Sequence, residues 1–244
     1  SRAPSWLAQF VARFLEDDVF RLETASGPSR LQLLDGAGFA TCLAASLATC
    51  RRARTTRALA DALLRTLYDG HAQGLAGSVA PLRRWRKAAR ATLGALLKAT
   101  RTAPDADACL AFWRFADFFL LTRKRDFLLG PPDVWAALDA DPDAAALRWA
   151  VAQLEPAHQP AEVGSEAKTA VMAITSLARV VEPARFRMVA LGALPRLARI
   201  RDGTVRVNKH FGSTAQRLHK LLVDAVQKKA AKDKDRKGGC VVMA

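Results

Sequence analysis

The histidines and cysteines of this 244-residue chain are the residues best suited to metal binding or nucleophilic chemistry. A zinc-binding helix carries two histidines four residues apart with an adjacent glutamate, and structural zinc sites use closely paired cysteines. Neither spacing occurs among His71, His158, His210 and His219 or among Cys42, Cys50, Cys109 and Cys240. We therefore predict no metal ion and no cofactor. Cysteines this widely spread also favour a reducing intracellular compartment, with the cytoplasm as the expected location.

The segment "DGAGFAT" at 35–41 comes nearest to a nucleotide-binding loop. It has two glycines one residue apart, but it lacks the third glycine of a dinucleotide loop and a preceding strand. A turn or a close helix contact explains the pair without a ligand. The chain also has no glycine-rich loop ending in Gly-Lys-Ser/Thr and no Gly-x-Ser-x-Gly elbow. We therefore expect a protein without enzymatic activity.

Positive charge is the strongest chemical signal in the sequence. The formal net charge is +15, and the part from Gly203 onward holds ten Lys or Arg against three Asp. Six of these cations fall within ten residues: Lys228, Lys229, Lys232, Lys234, Arg236 and Lys237. A segment of this kind binds polyanions such as nucleic acid, acidic lipid or an acidic protein tail. The alternative is a terminus that only keeps the protein soluble.

A second basic cluster, Arg83, Arg84, Arg86 and Lys87, surrounds Trp85 in "RRWRKAAR". Such a cluster is able to hold phosphates while the indole stacks on a base. The alternative is that Trp85 packs inward and the charges line a solvated helix face. The shorter "TRKRD" at 122–126 follows an apolar segment. Cations are favourable at the end of a helix without any ligand, because they offset the negative end of the helix dipole.

Cys240 opens the sequence "CVVM", which resembles a prenylation box placed after a basic stretch. Such a box requires the cysteine to be fourth from the C-terminus. Here Ala244 follows Met243, so Cys240 lies one residue too far from the end. We retain Cys240 as a candidate lipidation site that departs from the pattern by one position.

Apolar residues recur at helical spacing along most of the chain, as at Val171, Ile174 and Leu177. Alternation with a period of two is nearly absent, and the sequence therefore predicts an all-α fold. The most apolar segment, Cys109–Leu121, is too short to cross a bilayer and contains two charged residues. It predicts a buried core helix.

Two charged positions carry specific predictions about these helices. Arg114 and Asp117 are three residues apart, so on a helix they are able to pair with each other. Asp141 followed by Pro142 predicts the N-cap and the first residue of a further helix.

Short breaks rich in Pro, Gly and Asp separate the predicted helices. The longest break, Glu155–Glu166, contains two prolines and a glycine, and we interpret it as a linker. This gives an N-terminal helical block at 1–154, the linker at 155–166, a C-terminal helical block at 167–227 and a basic tail at 228–244. The tail has no apolar face, so we expect it to be mobile unless it is bound.

The segment 166–200 contains a specific pattern: an alanine-rich helix ending in Leu177-Ala178, a short helix, and then "GALPRL" at 192–197. This pattern resembles an armadillo repeat, in which Pro195 stands where the third helix begins. A weaker echo occurs at Pro81, about three repeats of ~40 residues earlier. The resemblance implies a stack of helices that exposes a long groove. The alternative is an irregular helical bundle.

These features predict a scaffold or adaptor subunit that binds a protein partner within a larger assembly and touches an anionic surface with its Lys-rich tail. Two alternatives keep the same fold: an RNA-associated component of a ribosome or other ribonucleoprotein, and a peripheral membrane protein held by its basic C-terminus. Salt separates these functions in part. RNA affinity falls steeply with salt, whereas groove binding through apolar anchors falls little.

Overall fold

The structure is a computed structural model that describes residues 36, 38–49, 53–69, 79–102, 106–120, 128–155, 165–205, 207 and 209–238. Within these ranges the chain forms ten α-helices and no strand. They are α1 (Phe39–Thr49), α2 (Ala53–Asp69), α3 (Val79–Thr102), α4 (Ala106–Leu120), α5 (Pro131–Asp139), α6 (Ala145–Ala152), α7 (Ser165–Val180), α8 (Glu182–Ala190), α9 (Ala193–Arg201) and α10 (Lys209–Gly238). The predicted all-α fold is confirmed. None of these helices has the length and apolar character needed to span a bilayer.

The chain divides into two compact units, residues 1–146 and residues 147–244. The N-terminal unit contains α1–α5, and the C-terminal unit contains α7–α10. Helix α6 begins in the first unit and continues into the second. The predicted linker at 155–166 lies almost wholly outside the described residues. It therefore stays a prediction, as do the blocks at 1–154 and 167–227.

The N-terminal unit is organised around α3, which packs against α1, α2, α4 and α5. Its buried side chains recur at helical spacing, as at Trp85, Ala89 and Leu96. Helix α4 is buried over most of its surface, with eleven of its residues in the core. The core helix predicted at 109–121 is therefore confirmed.

Arg114 and Asp117 of α4 do not form the ion pair that their spacing permits. Arg114 is exposed, whereas Asp117 Oδ1 is buried and has no hydrogen-bond partner in the described part of the chain. Residues three apart on a helix differ by about 60° in direction, which is enough to separate a core-facing side chain from a solvent-facing one. Desolvation by burial raises the pKa of Asp117 to about 7.

The Asp141 carboxylate caps the start of α6, but Asp141 is not the N-cap residue that we predicted, because the helix begins at Ala145 instead of Pro142. The Asp141 carboxylate accepts hydrogen bonds from the backbone N–H groups of Asp143 (3.3 Å) and Ala145 (3.1 Å). Ala144 has a φ of 48°, a left-handed conformation that interrupts a helical turn. The predicted start at Pro142 is therefore wrong, because the chain turns at Ala144 before the helix forms.

In the C-terminal unit, α7, α8 and α9 follow the predicted order of a long helix, a short helix and a third helix. Gly192 separates α8 from α9 in a left-handed conformation with a φ of 81°, and its N–H donates to the carbonyl of Val189 (2.9 Å). A residue with a Cβ is strained in this conformation, so the glycine explains why the run at 186–200 forms two helices. Leu177 and Leu197 are both buried in this unit.

Candidate anion-binding surface

Helix α10 is the longest helix in the described residues, and it packs against α7, α8 and α9. The buried stripe that holds it recurs every three to four positions: Phe211, Ala215, Leu218, Leu222 and Ala225. Burying a Phe or Leu side chain contributes about 1.5–3 kcal/mol. The stripe fixes the rotation of α10 about its axis and so decides which of its side chains face the solvent.

The buried stripe ends at Ala225, and every side chain from Val226 to Lys234 is exposed. Four of the predicted site residues lie in this part of the helix: Lys228, Lys229, Lys232 and Lys234. Arg236 and Lys237 belong to the same helix, but their side chains lie outside the described part of the structure. Cys240 lies outside the described residues altogether.

The segment predicted as a mobile tail at 228–244 continues α10 as far as Gly238. Alanine and lysine are strong helix formers, and opposite charges four residues apart, as at Lys229 and Asp233, add to helix stability. Lysines near a helix C-terminus also offset the negative end of its dipole. We expected a mobile tail because this segment has no apolar face. A helix is able to continue without one, however, once its earlier turns are packed against the core. The mobility of this segment stays a prediction.

Lys229 differs from its neighbours because its ammonium group lies over the ring of Phe186 in α8, with Nζ 5.2 Å from the ring centroid. It occupies the next position of the buried stripe, four residues after Ala225. A cation–π contact at an exposed site contributes about 0.5–1 kcal/mol. Lys229 therefore fastens the end of the packed part of α10 to α8. The other three exposed cations, which we call the projecting lysines, are Lys228, Lys232 and Lys234.

Trp85, at the centre of the second predicted cluster, lies in the core of the N-terminal unit. Its exposed fraction is 0%, and its ring centroid is 6.0 Å from that of Phe39. An indole in this position is unable to stack on a base, so the base-stacking interpretation is wrong. The residues three and four positions on, Ala88 and Ala89, are also buried. This helical spacing was the sequence signal that Trp85 belongs to the inward face.

The four cations around Trp85 are of two kinds. Arg83, Arg84 and Lys87 are exposed. Arg86 is half-buried, and its Nε donates a hydrogen bond to the carbonyl of Leu128 (3.1 Å). This hydrogen bond joins α3 to the segment that leads into α5, so Arg86 stabilises the packing of the N-terminal unit.

Two further arginines of α3 have the same role. Arg90 Nη2 lies 2.7 Å from Asp133 Oδ1 in α5, and Arg101 Nε lies 2.7 Å from Oδ1 of Asp141, which is completely buried. We call Arg86, Arg90 and Arg101 the arginine clamp, because they hold α3 against α5 and the turn that follows it. All three fall within about 60° of one another around α3. This spacing can be measured in the sequence, but the sequence does not show which acceptor groups lie opposite the three arginines.

The arginines of α9 are also engaged in ion pairs. Arg199 binds the Glu155 carboxylate, and Arg196 Nε lies 3.8 Å from its second oxygen. Arg201 Nε donates to Asp202 Oδ1 (2.8 Å), and this hydrogen bond lowers the pKa of Asp202. In both units, therefore, several arginines hold the helices together, while the projecting lysines reach into solvent.

Of the histidines and cysteines, His210, His219, Cys42 and Cys109 have a described structure. Among the residues with a described structure, no three His, Cys, Asp or Glu side chains are placed to hold a metal ion. Cys109 is buried and Cys42 is exposed, and neither is in a disulfide. In the "DGAGFAT" segment, the carbonyl of Gly38 accepts hydrogen bonds from the backbone N–H groups of Thr41 and Cys42 at the start of α1. This geometry agrees with the interpretation of the glycine pair as a turn. The "TRKRD" segment at 122–126 lies outside the described residues.

Comparisons with known proteins concern the fold. No family model matches the chain, and no curated protein matches its sequence. Its structure is similar to that of a designed armadillo repeat protein, with a TM-score of 0.42 and 16% sequence identity, over 90% of this chain and 92% of that chain.

Proposed function

We propose that the protein is a non-enzymatic helical scaffold of an intracellular assembly, which binds a protein partner and contacts an anionic surface through the projecting end of α10. The observation that carries this proposal is the exposure of every side chain from Val226 to Lys234, directly after the buried stripe ends. The fold does not need these residues for its core. The cations of the projecting lysines are therefore available to a partner.

The charge of this segment supports a polyanionic partner. Residues 228–238 contain six Lys or Arg and two Asp. A helix places these cations at fixed spacing along a rod, so a partner meets them without the cost of ordering the backbone. Binding to a polyanion releases its condensed counterions, and each cation contributes to that release.

The scaffold part of the proposal is supported by the arrangement of the C-terminal unit. Two short helices, α8 and α9, follow the long helix α7, and all three pack on α10. Repeated units of this kind offer an extended surface, along which a partner's binding energy is spread over many residues. The intracellular location is supported by Cys42 and Cys109, which are both free thiols.

The test is a pull-down from nuclease-treated extract at low and high salt. The bait is the full chain, either unchanged or with Lys228→Gln, Lys232→Gln and Lys234→Gln. The matched control carries Arg83→Gln, Arg84→Gln and Lys87→Gln, which remove the same charge from exposed positions of α3. The proposal expects a protein partner that is retained at high salt by every bait. It also expects an anionic partner at low salt that only the α10 variant loses.

Two results would contradict the proposal. If no protein is retained after nuclease treatment, the scaffold function is wrong. If the α10 variant and the α3 control bind alike at every salt concentration, the anion-binding role of the projecting lysines is wrong.

A further inference from the structure

The basic surface of α10 extends well beyond the projecting lysines. Five exposed cations lie on the side of the helix that faces away from the buried stripe: Lys209, Arg217, Lys220, Lys228 and Lys234. At about 100° per residue, the centre of this set lies roughly 160° around the helix from the centre of the stripe. We call these five residues the α10 row. At about 1.5 Å per residue, the row is about 37 Å long.

The other residues on this face leave the row basic. Gln216 and Gln227 are exposed and uncharged, Asp224 is half-buried, and Asp235 takes a position on the same side near the end of the helix. Asp233 lies on the side of the buried stripe. The row thus combines five cations with two acidic positions, of which Asp224 is partly shielded, on a helix that the core holds in a fixed rotation.

From this geometry we infer that the α10 row binds the phosphodiester backbone of a nucleic acid, without reading its sequence. This inference rests on the proposed anion-binding surface and names its partner. A nucleic-acid duplex carries one negative charge per about 1.7 Å of its axis, so a 37 Å row always faces enough phosphates. Lysine is a compact point charge, which suits contact with successive phosphates more than paired contacts with single carboxylates.

The absence of apolar side chains on the row argues against the two other polyanions. Among the described residues, the exposed large hydrophobic side chains are Val180 and Val226. Val180 belongs to α7, and Val226 lies beside the buried stripe of α10. A helix that lies in a membrane interface carries Trp, Phe or Leu along one face, and the anchors of protein interfaces are mainly Trp, Tyr and Arg in well-packed pockets. The row has one Arg, Arg217, and its side chain is exposed and has no aromatic neighbour within the row. The α10 row carries neither apolar nor aromatic side chains.

Contact with five phosphates gives a definite salt dependence. The logarithm of the affinity for a duplex should fall with the logarithm of salt concentration with a slope of about −4 to −5, and for a single strand with a slope of about −3.5. Comparing duplex RNA, duplex DNA and a single strand of the same length then identifies which source of phosphodiester the row prefers.

The experiment measures fluorescence anisotropy of labelled oligonucleotides of about 20 base pairs with the full chain. The test variant carries Arg217→Gln and Lys220→Gln, which leave the projecting lysines in place. The control carries Lys168→Gln and Arg179→Gln, which remove two exposed cations from α7 of the same unit. We expect the test variant to lose about 1.4–1.8 units of salt slope and at least tenfold in affinity near 0.1 M salt. The control should bind like the unchanged chain.

The outcomes separate this inference from the proposed function. If the test variant binds oligonucleotides as tightly as the control does, the proposed binding by the α10 row is wrong. This conclusion holds even if neutralising the projecting lysines abolishes binding. If the unchanged chain binds polyglutamate or phosphatidylserine vesicles but no oligonucleotide, the inference of a nucleic-acid partner is wrong. The proposed function, contact with an anionic surface, then still stands. If it binds none of these probes, both proposals fail. Circular dichroism of each variant verifies that the helices are intact.

Discussion

The long helices α3 and α10 hold corresponding positions in their units, but they use their cations differently. Each packs against most other helices of its unit and carries basic residues on its solvent side. In α3, Arg86 donates a hydrogen bond to a backbone carbonyl, and Arg90 and Arg101 form ion pairs with carboxylates. These three guanidinium groups stabilise contacts within the unit. In α10 the cations of the row and of the projecting end are exposed. Basic residues alone therefore do not identify a binding surface, because the carboxylates that face them decide their role.

The largest expected effect tests whether α10 is held by its apolar stripe and not by its cations. Replacing Leu222, which is completely buried, by Ala should lower the free energy of unfolding by about 2–5 kcal/mol. Chemical denaturation followed by circular dichroism measures this change. The control is Val226→Ala on the same helix, whose side chain is 37% exposed and should cost less than about 1 kcal/mol. Equal costs at the two positions would mean that the stripe does not hold α10.

The second prediction tests the arginine clamp of α3. Replacing Asp141 by Ala removes an ion pair with Arg101 and two hydrogen bonds to backbone N–H groups. The free energy of unfolding should fall by roughly 2–4 kcal/mol, because the buried carboxylate is both a helix cap and an ion-pair partner. Thermal denaturation of this variant beside Lys87→Ala, which removes an exposed cation from α3, provides the comparison. A loss below about 0.5 kcal/mol, typical of surface positions, would show that the clamp is dispensable.

The third prediction concerns Asp117, an acid of the N-terminal unit without a partner in the described structure. Its pKa in the folded protein is about 7, above the ordinary value of 3.8. Between these values the folded state binds more protons than the unfolded state, so the free energy of unfolding should fall as pH rises through this range. Asp117→Asn should remove this dependence and raise stability at pH 8 by about 1–3 kcal/mol. The exposed Asp139→Asn serves as the control, and a variant at Asp117 that keeps the pH dependence would contradict the assignment.

The smallest expected effects distinguish two neighbouring lysines of α10. Lys229→Ala should cost about 0.5–1 kcal/mol of stability, because it removes the contact with Phe186. Lys228→Ala should change stability by less than about 0.5 kcal/mol, since Lys228 is exposed. Removing residues 228–244 should cost no more than Lys229→Ala does, because Lys229 is the residue of this segment that contacts α8. If the truncated chain unfolds, the projecting segment is part of the fold.

Much of the fold could be predicted from local sequence patterns. The spacing of Val171, Ile174 and Leu177 identified α7, and Gly192 marked the break between α8 and α9, because each signal depends on a few neighbouring residues. The start of α6 was less predictable. Asp141 was expected to cap it, but the left-handed turn at Ala144, which delays the start of the helix to Ala145, has no local sequence signal.

The candidate site could be predicted only in part. A cluster of six cations in ten residues stands out in the sequence, and its lysines with described side chains are exposed. Arg217 and Lys220 were missed because they are separated by polar and apolar residues, and their common direction appears only when the buried stripe fixes the rotation of α10. The hydrogen bond of Arg86 was missed because its acceptor, the Leu128 carbonyl, lies 42 residues away in the sequence.

The most direct test neutralises each set of cations in turn and measures both stability and binding. One variant carries Lys228→Gln, Lys232→Gln and Lys234→Gln, and the other carries Arg86→Gln, Arg90→Gln and Arg101→Gln. Thermal midpoint and affinity for duplex RNA are measured for both. We predict that the α10 variant keeps its midpoint and loses about two units of salt slope, whereas the α3 variant loses stability but binds normally while folded. An α3 variant that keeps its midpoint and loses RNA binding, beside an α10 variant that binds normally, would contradict the division of roles between the two helices.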